Sequence, residues 1–228
     1  MSPAELVAEL AEAYREHADA EAAEAMSAYM RGQFPFIGIQ AKQRRAIDRA
    51  VTAKAPSRPT HHYLVKVARD CWGRREREYQ YFAVDYLRRH HRRLDPPFLE
   101  ISRELVVTKS WWDTVDALAG GVIGPFVRAH GMVEAMDSWV TADNLWVVRT
   151  ALLFQLAAKE DTDVERLFTY CLQRANDGDI FIRKAIGWAL RQHARTDPYA
   201  VKRFVAAHAD TLSPLSIREA MKHLTGEA

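Results

Sequence analysis

The sequence predicts an all-α fold, and three observations carry that prediction. Apolar residues recur with helical period along nearly the whole of the 228 residues, which marks amphipathic helices. No convincing alternation of apolar and polar residues appears, so no strand is expected. Ala83, Ala117, Ala151 and Ala185 follow one another at steps of 34 residues, each succeeded by an aliphatic residue (Val84, Leu118, Leu152, Ile186). A small-then-aliphatic pair at that period suggests helix pairs stacking into a solenoid, with small residues where helices approach closely.

Residues 3–16 and 19–31 read as two helices. Residues 1–25 hold seven acids and one base, a net of −6, so the rest of the chain carries +8 of the overall +2. Gly32–Gly38 reads as a loop with apolar anchors. Further helices are expected near 41–54, 59–72, 75–91, 96–107, 111–127, 131–141, 144–158, 163–175, 180–194, 198–209 and 214–224. Pro3, Pro59, Pro97, Pro198 and Pro214 lie near predicted starts, where a missing N–H costs nothing. One repeat domain over 1–228 is expected, with 1–31 as an acidic helical pair and 75–194 as the repeats carrying the site.

No run of 18 apolar residues exists, so no membrane span is expected, and no basic-then-apolar leader opens the chain. Cys71 and Cys171 are isolated, which argues for a reducing, cytoplasmic setting and against structural zinc. His61-His62 and His90-His91 are adjacent pairs, whose side chains diverge by about 100° on a helix and make poor metal ligands. Neither a metal nor a cofactor is expected. The bases cluster at Arg44-Arg45, Arg74-Arg75-Arg77, Arg88-Arg89 with Arg92-Arg93, and Arg183-Lys184. Such clusters fit either solvated helix faces or a polyanion partner.

The chemistry is concentrated in Thr108-Lys109-Ser110-Trp111-Trp112-Asp113-Thr114-Val115-Asp116. Ser110 followed by Asp113 has the form of a capping box, which gives Asp113 a structural role. Asp116 has no such role. It lies one turn after Trp112 and shares its face, while Val115, Leu118, Val122 and Phe126 define a separate core face. Gly120 and Gly124 extend the Trp112–Asp116 line as a cleared strip, as a site for a bulky polar ligand would need. The other reading is a solvated carboxylate beside a half-buried indole. The 34-residue register aligns Trp112 with Trp146 and Ile180, Asp116 with Thr150 and Lys184, and Gly120 with Phe154 and Trp188. Trp188 is therefore expected on the same wall as Trp112 and Asp116. Arg149 falls one residue out of register with Asp116. Trp146, between Leu145 and Val147, reads as core.

These stretches resemble the AlkD-type DNA alkylation-repair glycosylases. So do Asp143-Asn144-Leu145-Trp146, Arg149 with Phe154-Gln155-Leu156, Lys184 to Arg191, Phe36-Ile37-Gly38-Ile39-Gln40 and Pro214 to Ala220. The resemblance runs in the same order over nearly the whole chain. It implies a curved solenoid of HEAT-like antiparallel helix pairs with a basic concave face for duplex DNA. It also implies excision of cationic N3- and N7-alkylated purines such as 3-methyladenine and 7-methylguanine, without a base-binding pocket. Carried over, Asp116 is the catalytic carboxylate, Trp112 and Trp188 flank the deoxyribose, and Arg149 contacts phosphate and orders the site. Tyr29, Gln40, Arg44, Arg45, Lys109, Lys184 and Arg191 become DNA contacts, Lys184 being equally readable as a solvated lysine. A monomer acting on duplex DNA, with no membrane partner, is implied. Ala41, Ala157 and Ile180 depart from the family pattern, where Thr, Lys and an aromatic residue are usual. The alternatives are a helical module that binds bent or branched DNA without cleaving it, and a protein-binding scaffold.

Overall fold

The computed structural model describes residues 1–224, and among them there is no strand. They fall into two compact units, one of residues 1–101 and one that begins at residue 102. Among the described residues no helix is long and apolar enough to cross a membrane.

In the first unit, α1 (Pro3–Glu16) opens on a complete capping box: Ser2 accepts from the Glu5 N–H and Glu5 accepts from the Ser2 N–H. Its acids face outward, while Leu6, Leu10 and Tyr14 are buried. The acidic N-terminal helix is thus part of the core of its unit, packed on α3 (Ala41–Thr52) and α4 (His61–Gly73). Between α1 and α3 lies α2 (Ala20–Tyr29), which buries no residue. α5 (Arg77–His90) packs on α4 and α3, and a short 3-10 turn, His91–Arg93, follows it. α6 (Phe98–Val107) carries the chain from one unit into the next. Both cysteines are fully buried, and burial pushes their thiols far up, away from the reactive thiolate.

The second unit begins with α7 (Trp112–Leu118), a π-helical turn (Ala119–Ile123) and α8 (Gly124–Ala129). The sequence predicts one helix over 111–127; the structure widens it in the middle. Pro125 has no N–H to offer the Gly121 carbonyl and its ring crowds that carbonyl. The turn before it opens instead, and the Gly124 N–H reaches back to Ala119 O. α9 (Ala135–Val140) and α10 (Leu145–Leu153) come next, both shorter than expected. α11 (Val164–Gln173), α12 (Ile180–His193), α13 (Pro198–Ala207) and α14 (Pro214–Met221) follow. α10 packs against α7 on one side and α12 on the other, and α14 covers α12. Pro3, Pro198 and Pro214 occupy first helical positions, while Pro59 and Pro97 stand just before their helices.

The repeat marks buried positions. Ala83, Ala151 and Ala185 and all four following aliphatics are buried, and Ala117 is half-buried. The glycines of α7–α8 do not clear a strip for a ligand, which corrects that expectation. A Cβ on Gly124 would lie 1.8 Å from the Phe154 carbonyl oxygen, and one on Gly120 would lie 3.1 Å from Leu156 Cβ. Both are places where the chain after α10 packs hard against the π turn and α8.

Candidate active site

The site rests on three helices whose starts are fixed by different means. α10 begins at Asn144, whose side-chain oxygen accepts from the Trp146 and Val147 N–H groups (3.0 and 3.3 Å). α12 begins at Asp179, which accepts from the Phe181 N–H at 2.6 Å. α7 is different. The expected Ser110 cap is not made: Trp111 is the N-cap, with no side-chain cap bond. Lys109 takes a left-handed conformation (φ 52°) after α6, which turns the Ser110 hydroxyl back to donate to Val106 O at 2.7 Å. Ser110 therefore ties off α6, and Asp113 sits at the second helical position of α7 rather than the third.

From α7, Asp116 points into the unit and is only 8% exposed. Arg149 of α10, 4% exposed, meets it side-on. Its Nε donates to Oδ1 at 2.6 Å and its Nη2 to Oδ2 at 2.8 Å, the fork geometry of the strongest ion pairs. The remaining amino group, Nη1, donates to the Phe181 carbonyl of α12. One side chain thus joins three helices, α7, α10 and α12, that pack side by side. The sequence register does not foresee this, because it aligns Thr150 with Asp116. Thr150 is fully buried and its hydroxyl returns to Trp146 O (2.8 Å), so the residue before it makes the crossing. Burial raises the Asp116 carboxyl from its ordinary value. Arg149, by hydrogen bonding and by charge, pulls the other way, and Asp113 adds a smaller upward push.

Aromatic rings stand on the same three helices. Trp112 is half-buried, one turn before Asp116 on α7. Trp111, Trp146 and Phe181 form a mutual cluster with ring centroids 5.1 to 5.8 Å apart. They are half-buried rather than core, and they brace the Phe181 segment that receives Arg149. Trp111 and Phe181 pack beside the carbonyl that receives Arg149, which reading for core and face positions passes over; the signal is an aromatic residue at the start of each of α7, α10 and α12. Trp188 is half-buried on α12, seven residues after Phe181 and about 10 Å along the axis. Its register partners Gly120 and Phe154 are interior, so the three do not share one exposed wall. Gly187, just before it, lets α14 close in: a Cβ there would lie 2.5 Å from Glu219 Cβ.

The expected DNA contacts divide. Tyr29 is 73% exposed, and Gln40, Arg45 and Lys184 are exposed. Lys109 is half-buried. Arg44 is 4% exposed and holds Asp48 (2.6 Å) and Asp85 (2.7 Å), so it is an interior brace of α3 and α5 rather than a surface cation. Arg191 donates to Glu219 of α14 at 2.6 Å. The Phe36–Gln40 motif is a held loop. The buried Glu78 carboxylate accepts from the Ile37, Gly38 and Ile39 N–H groups at 2.9 to 3.2 Å. Gly38 has φ 97°, and a Cβ there would strike Asp19 O at 1.9 Å.

An all-helical chain with a buried acid–guanidinium pair bridging helices that pack on one another, beside an aromatic cluster at their starts, defines a class of helical-repeat protein with a charged site on its stacked helices. Sequence and fold both make the class specific. The chain belongs to the DNA alkylation repair enzyme family, whose model matches residues 10–224. It is similar to a predicted DNA alkylation repair enzyme from Enterococcus faecalis, at 33% identity and a TM-score of 0.84, over 92% of this chain and 98% of that one. It shares its fold with smu.31 from Streptococcus mutans UA159, at 16% identity and a TM-score of 0.58, over 80% and 92% of the two chains. No curated protein matches the chain. Family membership gives the protein a role in repair of alkylated DNA.

Proposed function

We propose that the protein is a monofunctional DNA glycosylase that hydrolyses the N-glycosidic bond of cationic N3- and N7-alkylated purines in duplex DNA. The observation that carries the reading is the buried Asp116 carboxylate, fixed side-on by Arg149 and one turn from Trp112. An alkylpurine cation is already a good leaving group. Bond cleavage leaves oxocarbenium-like positive charge on the sugar, which a preorganised carboxylate stabilises without reorganising. The same carboxylate orients the attacking water. Trp112 and Trp188 supply indole faces to the electron-poor sugar, about 0.5–2 kcal/mol each when desolvated. Arg149 positions Asp116 and keeps it ionised against desolvation. Its phosphate contact falls to the N–H groups that Asp116 and Phe181 leave over from the five.

Tyr29, Gln40, Arg45, Lys109 and Lys184 contact DNA; Arg44 and Arg191 hold helices instead. The lesion stays near the duplex with no base pocket, and the product is an abasic site. Residues 1–228 act as one monomeric repeat domain without metal or cofactor. The test is release of free base from a duplex bearing a single 7-methylguanine, comparing wild type, Asp116→Asn and Asp113→Asn. Release by wild type and Asp113→Asn, lost in Asp116→Asn, supports the reading. Release that survives Asp116→Asn sinks the mechanism. No release by wild type, with steeply salt-sensitive duplex binding, moves the protein to the non-catalytic DNA-binding class.

A further inference from the structure

In the first unit, a hollow of about 720 Å³ opens where α4 begins and α5 ends. Its wall includes Thr60, His61, Arg89, His90, Arg92 and Arg93. Most arginines that the structure buries or half-buries are neutralised by a carboxylate: Arg44 by Asp48, Arg149 by Asp116, Arg166 by Asp137, Arg174 by Asp177 and Arg191 by Glu219. Next to the hollow, Arg88 is paired with Asp85 at 2.7 Å. Arg89, Arg92 and Arg93 are exposed, and none forms a salt bridge among the described residues. The nearest partner of Arg89 is the neutral Thr52 hydroxyl, at 3.4 Å.

One acid, Asp95, lies in the lining. Three arginines against one carboxylate leave the hollow at +2 with its histidines neutral. The positive end of the 13-residue α4 opens into it, with Thr60 as N-cap. The field is felt locally: burial, then Arg89 and Arg93, hold the His90 imidazole below its ordinary value. An open cavity of this size and sign is larger than one small anion requires and suits several charges in a row.

We propose that this hollow is a binding site for closely spaced phosphates, those of a nucleic-acid backbone or of free polyphosphate, with Arg89, Arg92 and Arg93 as the cationic wall. Guanidinium forks match phosphate oxygens two at a time. The site goes beyond the base-excision reading, involves none of its residues, and stands or falls without any base being released.

The test uses the full chain and the double variant Arg92→Ala/Arg93→Ala. Both side chains are exposed, so folding is expected to be intact, which circular dichroism checks. Arg195→Ala/Arg203→Ala, two exposed bases in the second unit, controls for net charge. The probes are tripolyphosphate, by calorimetry, and an unmodified duplex, by fluorescence anisotropy over a salt series. The expected result for tripolyphosphate is a loss of about tenfold or more in the site variant and not in the control. For duplex, the expected result is weaker binding with the log–log salt slope reduced by about 1 to 2. Loss of duplex binding alone assigns the site to a nucleic-acid strand. Loss of tripolyphosphate binding alone assigns it to the free anion. Binding of both probes unchanged relative to the control overturns the proposal, as does an equal loss in the control.

Discussion

Replacing Asp116 by Asn tests the centre of the site in two currencies at once. The substitution keeps shape and one acceptor oxygen. It turns the other oxygen into an N–H donor, aimed at either Nε or Nη2 of Arg149, which now donate at 2.6 and 2.8 Å. One of two charge-assisted bonds becomes a clash of donors, and the guanidinium, 4% exposed, is left buried without its counter-ion. Breaking a buried pair from one side costs about 3–5 kcal/mol. At roughly 2–4 °C per kcal/mol for a chain of this size, the melting temperature should fall by about 6–20 °C. Loss of a fixed negative charge at the developing cation should separately slow base release by about 10² to 10³. The two effects are parted by Asp116→Leu/Arg149→Met, which removes both charges. Its stability should recover, except for the Phe181 carbonyl that loses Arg149 Nη1, worth about 1–3 kcal/mol. Its single-turnover release should not recover. Thermal melts and single-turnover assays on the same preparations decide. A melting point for Asp116→Asn within about a degree of wild type would refute the buried bidentate pair. Release by the apolar double variant would refute the catalytic role.

Asp48 should give a pH signature. Burial raises its carboxyl to about 6 despite Arg44 and the Tyr14 hydroxyl (2.6 Å). With the folded value above the unfolded one, the native state binds more protons between about pH 4 and pH 6, so stability falls as pH rises through that window. Asp48→Asn should gain about 3 kcal/mol relative to wild type across it, and parallel urea midpoints at pH 4 and pH 7 would contradict this. Gly124→Ala must move a Cβ that would sit 1.8 Å from the Phe154 carbonyl. It should cost more than the usual 1–3 kcal/mol of an overpacked core, whereas Gly131→Ala, left-handed but meeting nothing within 4 Å, should cost about 1–2 kcal/mol; equal urea midpoints would deny the close approach. Glu78→Gln replaces an anion held by three backbone N–H groups with a group that keeps one acceptor oxygen. About 2–4 kcal/mol should be lost and hydrogen exchange at Ile37–Ile39 should accelerate. Unchanged protection there would mean the loop does not depend on the carboxylate.

Helical period made nearly every helix legible, since most bury a stripe and leave a polar face, α2 being the exception that buries no residue. Ends and interruptions were not. The π turn needs Pro125 read against the carbonyl four residues back, and Ser110 was drawn from its capping role by the left-handed turn at Lys109. Charge clusters were legible as clusters but not as interfaces. Arg44 and Arg45 are neighbours in sequence, yet helical geometry sends one into an interior network with Asp48 and Asp85 and leaves the other exposed. Glycine was misread for the same reason: an absent side chain looks alike whether it makes room for a ligand or for a neighbouring backbone. The family resemblance brought Arg149 to the site as a phosphate-contacting and site-ordering residue, but neither it nor the repeat, which points one residue away, named Asp116 as its partner.

That contact bears on the chemistry proposed for Asp116, because an ion-paired carboxylate looks already spent. The geometry argues otherwise. A carboxylate has about four lone-pair positions, and Arg149 takes one on each oxygen. The other position on each remains for water or for a cationic sugar at the 8% of the residue that faces out. Without Arg149, desolvation would push Asp116 toward its neutral form, which neither stabilises a cation nor orients a nucleophile. With Arg149 fixed in turn by the Phe181 carbonyl, and Phe181 by two indoles, the charge is kept and the direction set. Trp112, one turn away on the same helix, is half-buried. Burial and pairing, which together make this Asp resemble a structural brace, are also the conditions under which a carboxylate stays ionised and stationary beside a forming oxocarbenium ion.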